Sequence, residues 1–355
     1  MRILDHYIRT KLGQGYLVVM CALVSAFTLL AFAEDLDDVG KGQYQLVDAC
    51  VYMVLTLPRR MVDLAPIVGL LGSLMALGRL ATGNELVAMR AVGVSAHRIA
   101  WSVIKTGALL MLAVVVLEEF VAPPLDQLAL TQRSLAISQT GNLRTEHGFW
   151  SRDGFQFINV HRVLHGRIPA DIDIYQFDEQ GHLRVFTHAS QANTEDPTQW
   201  LLTDVEQKVI DGQDVTAQSL SSLPWKSFLS PDQIGILVLP SETLSLSDLY
   251  EFARYLRERG QSTDQYELAL WQMISMPVAT GAMVLMSISF VFGPLRSATA
   301  GKRIMVGSIV GVAFHLASQI FGHFGVLYAL NPALTTLAPP AAILGIALWL
   351  FRRVP

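Results

Sequence analysis

One acidic side chain lies in a stretch whose composition suits contact with another molecule. Glu85 belongs to the run NELVAMRAVGVSAHRI (84–99), which also contains Leu86, Met89 and Arg90. A carboxylate that meets a basic group forms a charge-assisted hydrogen bond, which is stronger than a neutral one. The stretch is therefore either a lipid-anchoring helix or a partner-binding helix. The alternative for Glu85 is a solvated acid that pairs with Arg90 or with a lipid headgroup.

The sequence offers only a broken version of a nucleotide-binding motif. Gly301 and Lys302 resemble the end of a phosphate-binding loop, but that motif requires Gly at position 296 and Ser or Thr at position 303. Both positions are Arg. The chain is therefore expected to hydrolyse no nucleotide itself.

Other enzyme signatures are also missing from the sequence. His161 and His165 are four residues apart but have no Glu neighbour of the HExxH kind, so they predict surface histidines and no metal site. No GxSxG elbow occurs, and the adjacent acids Glu118 and Glu119 are more typical of an interfacial charge cluster than of a general acid and base. We predict no catalytic residues, no metal and no cofactor in this chain.

These residues belong to a chain whose composition is that of a membrane protein. Of 355 residues, 52% are hydrophobic and only 16% are charged. Windows of about twenty residues with few charges are long enough to cross a bilayer as helices. The sequence predicts six such spans, at 12–33, 61–80, 99–117, 268–292, 304–327 and 333–351.

The basic residues predict the orientation of these spans. If the spans alternate, most basic residues fall on one side, which the positive-inside rule makes cytoplasmic, together with both termini. Arg59 and Arg60 are the exceptions on the outer side. The residues on the basic side are Arg2, Arg9, Lys11, Arg79, Arg90, Arg98, Lys105, Arg296, Lys302, Arg303, Arg352 and Arg353.

Charge and cysteine content exclude two further classes. A net charge of −4 argues against a nucleic-acid binder. Cys21 and Cys50 lie in or near the first two spans, and neither their number nor their spacing predicts a disulfide framework or a metal site.

A polar segment interrupts the spans at about 123–262. Alternating apolar residues in FQFINV (155–160), DIDIYQF (171–177) and HLRVFTH (182–188) predict short strands at hairpin spacing. The segment LSDLYEFARYLRERG (246–260) instead predicts an amphipathic helix that leads into span four. The pattern favours an antiparallel sandwich or jelly roll.

The resulting organisation has three parts. Residues 1–122 hold spans one to three and a cytoplasmic helix at about 83–97. Residues 123–262 form a periplasmic all-β domain with its linking helix, and residues 263–355 hold spans four to six. The predicted fold class is an α-helical membrane protein with six transmembrane helices and an inserted, jelly-roll-like all-β domain.

Two titratable residues near membrane depth are candidates for a transport pathway. Asp63 starts the second span and His315 lies inside the fifth. Ionisable residues in spans often mark ion or proton paths, but solvation of Asp63 and ordinary packing of His315 are the preferred interpretations. Small residues also recur at four-residue spacing, which allows close helix contacts within or between subunits. These are Gly72 with Ala76, Gly307 with Gly311, and Ala313 with Ala317.

The whole chain resembles the LptF/LptG permeases of lipopolysaccharide export. The resemblance is carried by NELVAMRAVGVSAHRI, by FGPLRS (292–297), by QIFG (319–322) and by the six-span layout with a β insertion. The starting run LDHYI (4–8), FGPLRS and SPDQIGIL (230–237) are more similar to the LptG branch than to the LptF branch.

The resemblance implies a set of partners. A member of this branch is expected to form a heterodimer with LptF in the inner membrane of a Gram-negative bacterium. Two copies of the ATPase LptB would bind the ATP and Mg²⁺, and lipopolysaccharide would pass to LptC and LptA. In that family the cytoplasmic helix between spans two and three docks on the ATPase. The resemblance assigns the docking to Glu85, Leu86, Met89 and Arg90.

The resemblance also implies a lipid-admitting gate at spans one and five and a β domain that receives acyl chains. Candidate lipopolysaccharide contacts in the spans are Phe27, Leu30, Phe32, Leu36, Phe314 and Phe321, any of which alternatively faces lipid. In the β domain, the candidates are Phe157, Ile172, Ile174 and Phe186, for which a core position is preferred.

The sequence departs from the family at the outer end of span one. Relatives can carry lysines there that meet lipid A phosphates, whereas this chain has AFAEDLDDVGKG (31–42). Those contacts cannot be transferred. Arg133 and Lys41 are then the candidate phosphate partners, because guanidinium and ammonium groups both bind phosphate. A divalent cation that bridges the aspartates to phosphate is a further hypothesis, and solvated charge is the alternative.

Two other classes of function compete with an ATP-driven permease. An ion-coupled secondary lipid carrier would need discontinuous helices and several titratable groups near the midplane, of which the sequence shows only weak candidates. A membrane scaffold for periplasmic partners would need no apolar gate. The absence of a nucleotide motif together with the docking stretch favours the permease.

Overall fold

Six helices in the described part of the chain are long and apolar enough to cross a membrane, as predicted. The computed structural model describes residues 2–137, 142–164, 168–178, 180–193, 199–211, 214–226, 240–258, 263–293, 298–328 and 330–352. The spanning helices are α1 (Arg2–Asp35), α2 (Leu46–Thr82), α4 (Ala96–Val116), α7 (Asp264–Phe292), α8 (Ala300–Leu327) and α9 (Pro332–Arg352). Each predicted span lies almost wholly inside one of them.

Shorter elements connect these helices. They are a 3₁₀ turn (Leu36–Asp38), α3 (Glu85–Ala91), a π-helical turn (Leu117–Val121), α5 (Ala122–Ile137), a second 3₁₀ turn (Ser241–Thr243) and α6 (Leu246–Glu258). The third spanning helix therefore continues through the π turn to Ile137, beyond the boundary predicted at residue 123. The Ala122 N–H bonds the Leu117 carbonyl oxygen across the π turn, so the regular hydrogen-bond pattern of the helix is already altered where Pro123 and Pro124 lack an N–H, and the helix continues past them.

The two ends of the helix bundle differ in what they carry. The end of the bundle where α1, α4 and α8 begin and where α2, α7 and α9 finish is called the basic end. We call the opposite end, where the chain enters the β insertion, the sheet end. Helix α3 lies between α2 and α4 and hence at the basic end.

Helices α2 and α7 form the centre of the bundle. In their most apolar windows, 78% and 67% of residues are buried, against 11% in both α1 and α8. The main core contains Leu70, Leu74 and Leu77 of α2 and Met283 and Ile288 of α7. Spans one and five therefore lie at the periphery and leave most of their apolar surface uncovered.

Small residues allow the close helix crossings inside this chain. A Cβ added at Gly15 of α1 would lie 2.4 Å from the Gly72 carbonyl oxygen of α2, and the adjacent Tyr16 hydroxyl lies 2.9 Å from Ser73 Oγ. A Cβ at Gly307 would lie 2.6 Å from Leu74. The small-residue pattern in α2 and α8 is thus used for packing within the chain.

The insertion is an antiparallel all-β domain, as predicted. Six strands pair in sequence order, each with its neighbours in the chain. Among the described strands this is a meander, without the Greek-key order of a strict jelly roll. The strands are β1 (Asn142–Asp153), β2 (Gln156–Leu164), β3 (Ile168–Phe177), β4 (Leu183–Asn193), β5 (Gln199–Asp211) and β6 (Asp214–Lys226).

The two faces of the sheet have different roles. Ile172 and Ile174 of β3 are buried in a core to which β2 to β6 all contribute, so the preferred core position is confirmed for these two residues. Side chains alternate across a strand, and the opposite face carries the half-buried rings of Phe157, Tyr175 and Phe186. The Tyr175 and Phe186 ring centroids are 5.1 Å apart.

The predicted amphipathic helix is α6. All four predicted apolar residues, Leu249, Phe252, Ala253 and Leu256, are buried. The cap is Ser245, whose hydroxyl accepts from the Asp248 N–H at 3.2 Å. The Ser247 hydroxyl instead donates to Glu119 at 2.6 Å, as does the first N–H of the helix at 2.9 Å. Glu119 therefore fixes the start of α6 against the π turn.

Candidate functional site

The stretch around Glu85 folds as a short helix at the basic end. Gly83 and Asn84 form the turn after α2, and Asn84 has a φ of 57° in the left-handed region that asparagine tolerates better than most residues. Helix α3 covers Glu85–Ala91, which is about half of the predicted helix at 83–97. Ser95 caps the following helix α4 by accepting from the Arg98 N–H at 3.3 Å.

Glu85 is tied to the first spanning helix. The Tyr7 hydroxyl donates to Glu85 Oε2 at 2.8 Å, and Glu85 is half-buried. A carboxylate has about four lone-pair sites, so this bond leaves it able to accept from a partner as well. At the same end, Arg98 Nη2 lies 3.7 Å from Asp5 Oδ2. Helix α1 therefore contacts the segment that begins at Glu85 through two polar pairs.

The apolar residues of α3 divide between the protein core and the surface. Leu86 is only 6% exposed and belongs to the main core, with Met89 packed against it. Leu86 therefore presents almost no surface to a partner, whereas Met89 is partly exposed. The most exposed large apolar side chains of this stretch are Val87 and Val92, at 56% and 81%. Arg90 is exposed, as a docking residue would require.

A second polar tie joins the same region to the fifth spanning helix. Arg303 is 3% exposed at the start of α8, and its Nη1 donates to the Gly78 carbonyl oxygen of α2 at 2.9 Å. Gly78 lies one turn before the end of α2. The end of α2 and helix α3 are thus bonded to both peripheral spans, to α1 through Tyr7 and to α8 through Arg303.

The predicted gate residues occupy different environments. Phe27 and Leu36 of span one and Phe321 of span five are exposed, whereas Phe32 is partly buried. Phe314 is 8% exposed and belongs to the main core, so the structure removes it from the open lipid-facing surface. Exposed apolar area on α1 and α8 is available for lipid or for another subunit.

The two candidate phosphate-binding cations are already paired with acids. Arg133 Nη2 lies 2.9 Å from Asp35 Oδ1 and also bonds Asp38. Lys41 Nζ lies 2.5 Å from the same Asp38. Neither residue is an isolated charge, because each takes part in an ion-pair cluster at the sheet end, although the Lys41 side chain is 59% exposed and so remains solvated. A phosphate would have to displace a carboxylate to reach them.

Two tyrosines complete this cluster. The Tyr44 hydroxyl donates to Asp35 Oδ2 at 2.6 Å, and the Arg133 guanidinium lies 4.9 Å from the Tyr52 ring centroid. Burial raises the pKa of the Tyr44 phenol above its ordinary value, and the bond to the Asp35 carboxylate raises this pKa further. Tyr44 therefore stays a neutral donor, and the cluster fixes the end of α1 against α5.

Of the two histidines that the sequence predicts to lie at the surface, the structure describes His161. His161 lies 3.0 Å from Asp173, which also bonds His188 at 2.8 Å, while His165 is outside the described residues. Within the described residues, no group of three His, Cys, Asp or Glu side chains is close enough to hold a metal ion.

Sequence reasoning missed Tyr7 and Arg303. Tyr7 lies in LDHYI, and Arg303 is one basic residue among several near the start of span five. Nothing in a single sequence links residue 7 to residue 85 or residue 303 to residue 78. The only local signal was a basic residue at the start of an otherwise apolar span. Residues 294–297 of FGPLRS and all of SPDQIGIL lie outside the described residues.

Comparison with known proteins agrees with this architecture over nearly the whole chain. A family model described as lipopolysaccharide export system permease LptF/LptG matches residues 6–353. The lipopolysaccharide export system permease protein LptG of Haemophilus influenzae is 35% identical over 351 residues, 99% of this chain and 98% of that protein. The Escherichia coli protein of the same name is 34% identical over 354 residues, again 99% and 98%. The chain therefore belongs to the LptF/LptG family of lipopolysaccharide export permeases and resembles its LptG members, which makes it a multi-pass inner-membrane protein.

Proposed function

We propose that this chain is the permease subunit of an ATP-driven transporter that extracts lipopolysaccharide from the inner membrane and passes it through its β domain to LptC and LptA. The observation that carries the proposal is the bond between Tyr7 and Glu85. It connects a short surface helix to a peripheral, largely uncovered spanning helix. A force on α3 thereby reaches a helix that packs closely on α2 but leaves most of its apolar surface uncovered.

In this proposal the basic end is cytoplasmic and the sheet end is periplasmic. Both chain termini then lie in the cytoplasm, and α3 faces the ATPase. Glu85 accepts a hydrogen bond from a basic group of LptB, with Arg90 beside it and with Val87 and Val92 supplying apolar area. LptB, as a dimer, binds the ATP and Mg²⁺, and this chain takes no catalytic part.

The partner permease in the proposal is LptF. Helices α1 and α8 bury only about a tenth of their most apolar residues within this chain. A pseudo-symmetric partner that presents its own equivalents to these helices would enclose a cavity between the subunits. Phe27, Phe32, Leu36 and Phe321 would then face lipopolysaccharide at the junction.

For the transfer step, the half-buried aromatic face of the sheet is a better surface for the acyl chains of lipopolysaccharide than the domain core. Ile172 and Ile174 are 0% and 1% exposed, so neither side chain presents surface to an acyl chain. Phe157, Tyr175 and Phe186 lie side by side on three neighbouring strands. Aromatic rings bury a large area per side chain, so this row suits an acyl chain that moves along it.

The experiment that tests the proposal is copurification of LptB after a charge reversal at Glu85. In Glu85→Lys, we expect membrane insertion to be retained and recovery of LptB with the permease to fall at least about tenfold, the factor of losing one charge-assisted bond. Glu251→Lys is the matched control, because Glu251 is an exposed acid on α6 at the opposite end. Full recovery of LptB with Glu85→Lys contradicts the docking assignment.

A reconstitution separates the ATP-driven permease from an ion-coupled carrier and from a scaffold. Proteoliposomes that contain this chain, LptF, LptB and LptC are expected to release lipopolysaccharide to LptA only with hydrolysable ATP. Release that follows an ion gradient without ATP would indicate the carrier. No release under either condition, with LptA still bound, would indicate the scaffold.

A further inference from the structure

A polar cavity of about 220 Å³ lies among the spanning helices, near the sheet end. It brings together Asp63 and His315, the two titratable residues that stood out in the spans, and adds Glu118 from the π turn. Its other polar lining residues include Arg59, Glu242, Gln272 and Gln319. The ATP-driven mechanism uses none of these residues.

The π turn determines what Glu118 and Glu119 face. Single π turns in α-helices often occur at functional sites. Here the turn directs Glu119 to the start of α6, where both of its oxygens accept hydrogen bonds. Glu118 is directed into the cavity, is 5% exposed, and has no hydrogen bond or ion pair among the described residues. A buried carboxylate without a partner has a large desolvation cost.

The charges around the cavity favour a cation. Among the described residues, three carboxylates line it, against one guanidinium, and that guanidinium of Arg59 lies 3.6 Å from Asp63. A compact metal ion would need several ligands at short distance, and no such group of three occurs in the described part of the chain. An ammonium group donates up to three hydrogen bonds and is larger than a metal ion, so it can bind carboxylates that lie further apart than metal ligands do.

The cavity lies where several of the predicted apolar stretches begin or end. Asp63, Glu118, Gln272 and Thr336, on four different spans, each lie within about one helical turn of such a boundary, which is where lipid headgroups meet a spanning helix, whereas His315 lies near the middle of the fifth span. A second cavity of about 540 Å³ shares Glu242, Gln272 and Gln319 with the first and reaches Leu327 at the end of α8. Leu327 is 74% exposed, and Phe324 beside it is 48% exposed, which provides an apolar surface for acyl chains.

We propose that this cavity binds the ammonium headgroup of an ethanolamine phospholipid, with Glu118 as its principal acceptor. Asp63 and Glu242 provide the remaining negative charge. Arg59 and His315 stand where they can meet the lipid phosphate. The bound lipid would fill the gap between α7 and α8 and fix the position of the peripheral fifth span. This inference concerns a different ligand, and the function proposed above does not depend on it, although the cavity lies against α8, the helix that also carries Phe321.

The test uses the full-length chain, purified in the complex that it forms in membranes. Lipid binding is measured by native mass spectrometry with dioleoyl-phosphatidylethanolamine, with the phosphatidylcholine of the same chains, and with the phosphatidylglycerol. In phosphatidylcholine, three methyl groups on the amine remove its hydrogen-bond donors. In phosphatidylglycerol, a glycerol replaces the amine and removes its positive charge. We expect the ethanolamine lipid to bind at least about tenfold more tightly than either, the difference of one charge-assisted bond.

The variant Glu118→Gln keeps the shape of the side chain and removes its charge. We expect it to lose the preference for ethanolamine lipid, while Glu251→Gln, an exposed acid on α6, keeps it. Equal binding of the three lipids to the natural protein overturns the proposal, and so does an undiminished preference in Glu118→Gln. If Glu118→Gln does not accumulate in membranes, the same lipid preference is measured in Asp63→Asn. The comparison of the three lipids on the natural protein needs no variant.

Discussion

The hydroxyl of Tyr7 donates a 2.8 Å hydrogen bond to Glu85 Oε2, across 78 positions of the chain. This bond spans the junction between a peripheral membrane helix and the short helix α3. The core-facing side of α3 is anchored separately by Leu86, which is 6% exposed. The anchoring of α3 by Leu86 therefore holds Glu85 near its docking position before any partner arrives, with or without the bond from Tyr7, which lowers the ordering cost of docking.

Removing the Tyr7 hydroxyl should weaken the coupling of ATP hydrolysis to lipopolysaccharide release and leave the docking of LptB intact. In Tyr7→Phe we expect LptB to copurify normally, because Glu85 keeps its charge. Lipopolysaccharide released per ATP hydrolysed should fall by roughly threefold to tenfold, the range for one lost hydrogen bond. Tyr250→Phe is the control, since Tyr250 is 61% exposed on α6. If the ratio of release to hydrolysis is unchanged in Tyr7→Phe, α1 is not driven through this bond.

Two glycines on the same helix should respond oppositely to alanine. A Cβ at Gly15 would lie 2.4 Å from the Gly72 carbonyl oxygen, which is backbone and cannot move aside alone, whereas a Cβ at Gly13 meets nothing within 4 Å. We expect Gly15→Ala to lower the free energy of unfolding by about 1–3 kcal/mol through overpacking. Gly13→Ala should be neutral or stabilising by up to about 1 kcal/mol. Thermal unfolding in detergent measures both, and equal effects would mean that α1 and α2 do not cross at Gly15.

Arg303 and Gly78 should be coupled energetically. Replacing Arg303 by Met removes its bond to the Gly78 carbonyl and should cost about 1.5–3 kcal/mol of stability. A Cβ at Gly78 would lie 2.9 Å from Arg303 Nη1, so Gly78→Ala displaces the same guanidinium. In the Arg303→Met background, Gly78→Ala should therefore cost much less than it does alone. Additive effects in this double-mutant cycle would exclude a direct contact.

Local patterns gave the elements of this fold, because hydropathy and periodicity are properties of contiguous residues. The six spans and the buried face of α6 were predicted, since their signals lie within one segment. The helical continuation to Ile137 was not predicted, because Pro123 and Pro124 followed by polar residues look the same in a linker as in the first turn of a helix.

The sites needed information that a single sequence does not hold. Glu85 was singled out by composition, but its bond to Tyr7 depends on how α1 packs against α2. Asp63 and His315 were each singled out as titratable residues in spans, but only the fold brings them into one cavity with Glu118. Arg133 was predicted as a solvated cation or a phosphate ligand because nothing local shows that Asp35 and Asp38 reach it, whereas Lys41 lies only three positions from Asp38.

The turn between β3 and β4 should show acid sensitivity. Asp178 accepts from the His182 N–H at 2.9 Å and from Arg184 Nε at 3.1 Å. The first of these bonds is the main cause that holds the pKa of Asp178 below its ordinary value of 3.8. A depressed pKa contributes stability that is present above the unfolded pKa and lost as the pH falls through the folded one.

Asp178→Asn should therefore unfold at a lower temperature than the natural protein at neutral pH, and the gap should close as the pH falls below about 4. Other acids titrate equally in both proteins, so the difference between the two melting curves reports Asp178. A gap that stays constant down to pH 3 would assign the effect to packing instead of charge.

The cluster around Arg133 allows a structural role to be separated from a phosphate-binding one. Asp35 is 5% exposed and faces both Arg133 and Tyr44, so Arg133→Ala leaves a buried carboxylate with one partner fewer. We expect a loss of about 1–3 kcal/mol in thermal unfolding, the usual cost of an unpaired buried polar group. Asp35→Asn in the same chain removes the unpaired charge and should restore most of that stability. Lys41→Ala, in contrast, should cost under about 1 kcal/mol, because a solvated pair contributes little.

Lipopolysaccharide release by the Arg133→Ala, Asp35→Asn protein then decides the role of Arg133. Normal release means that Arg133 only holds α1 against α5, whereas a stable protein that fails to release lipopolysaccharide means that its guanidinium leaves the aspartates to bind phosphate.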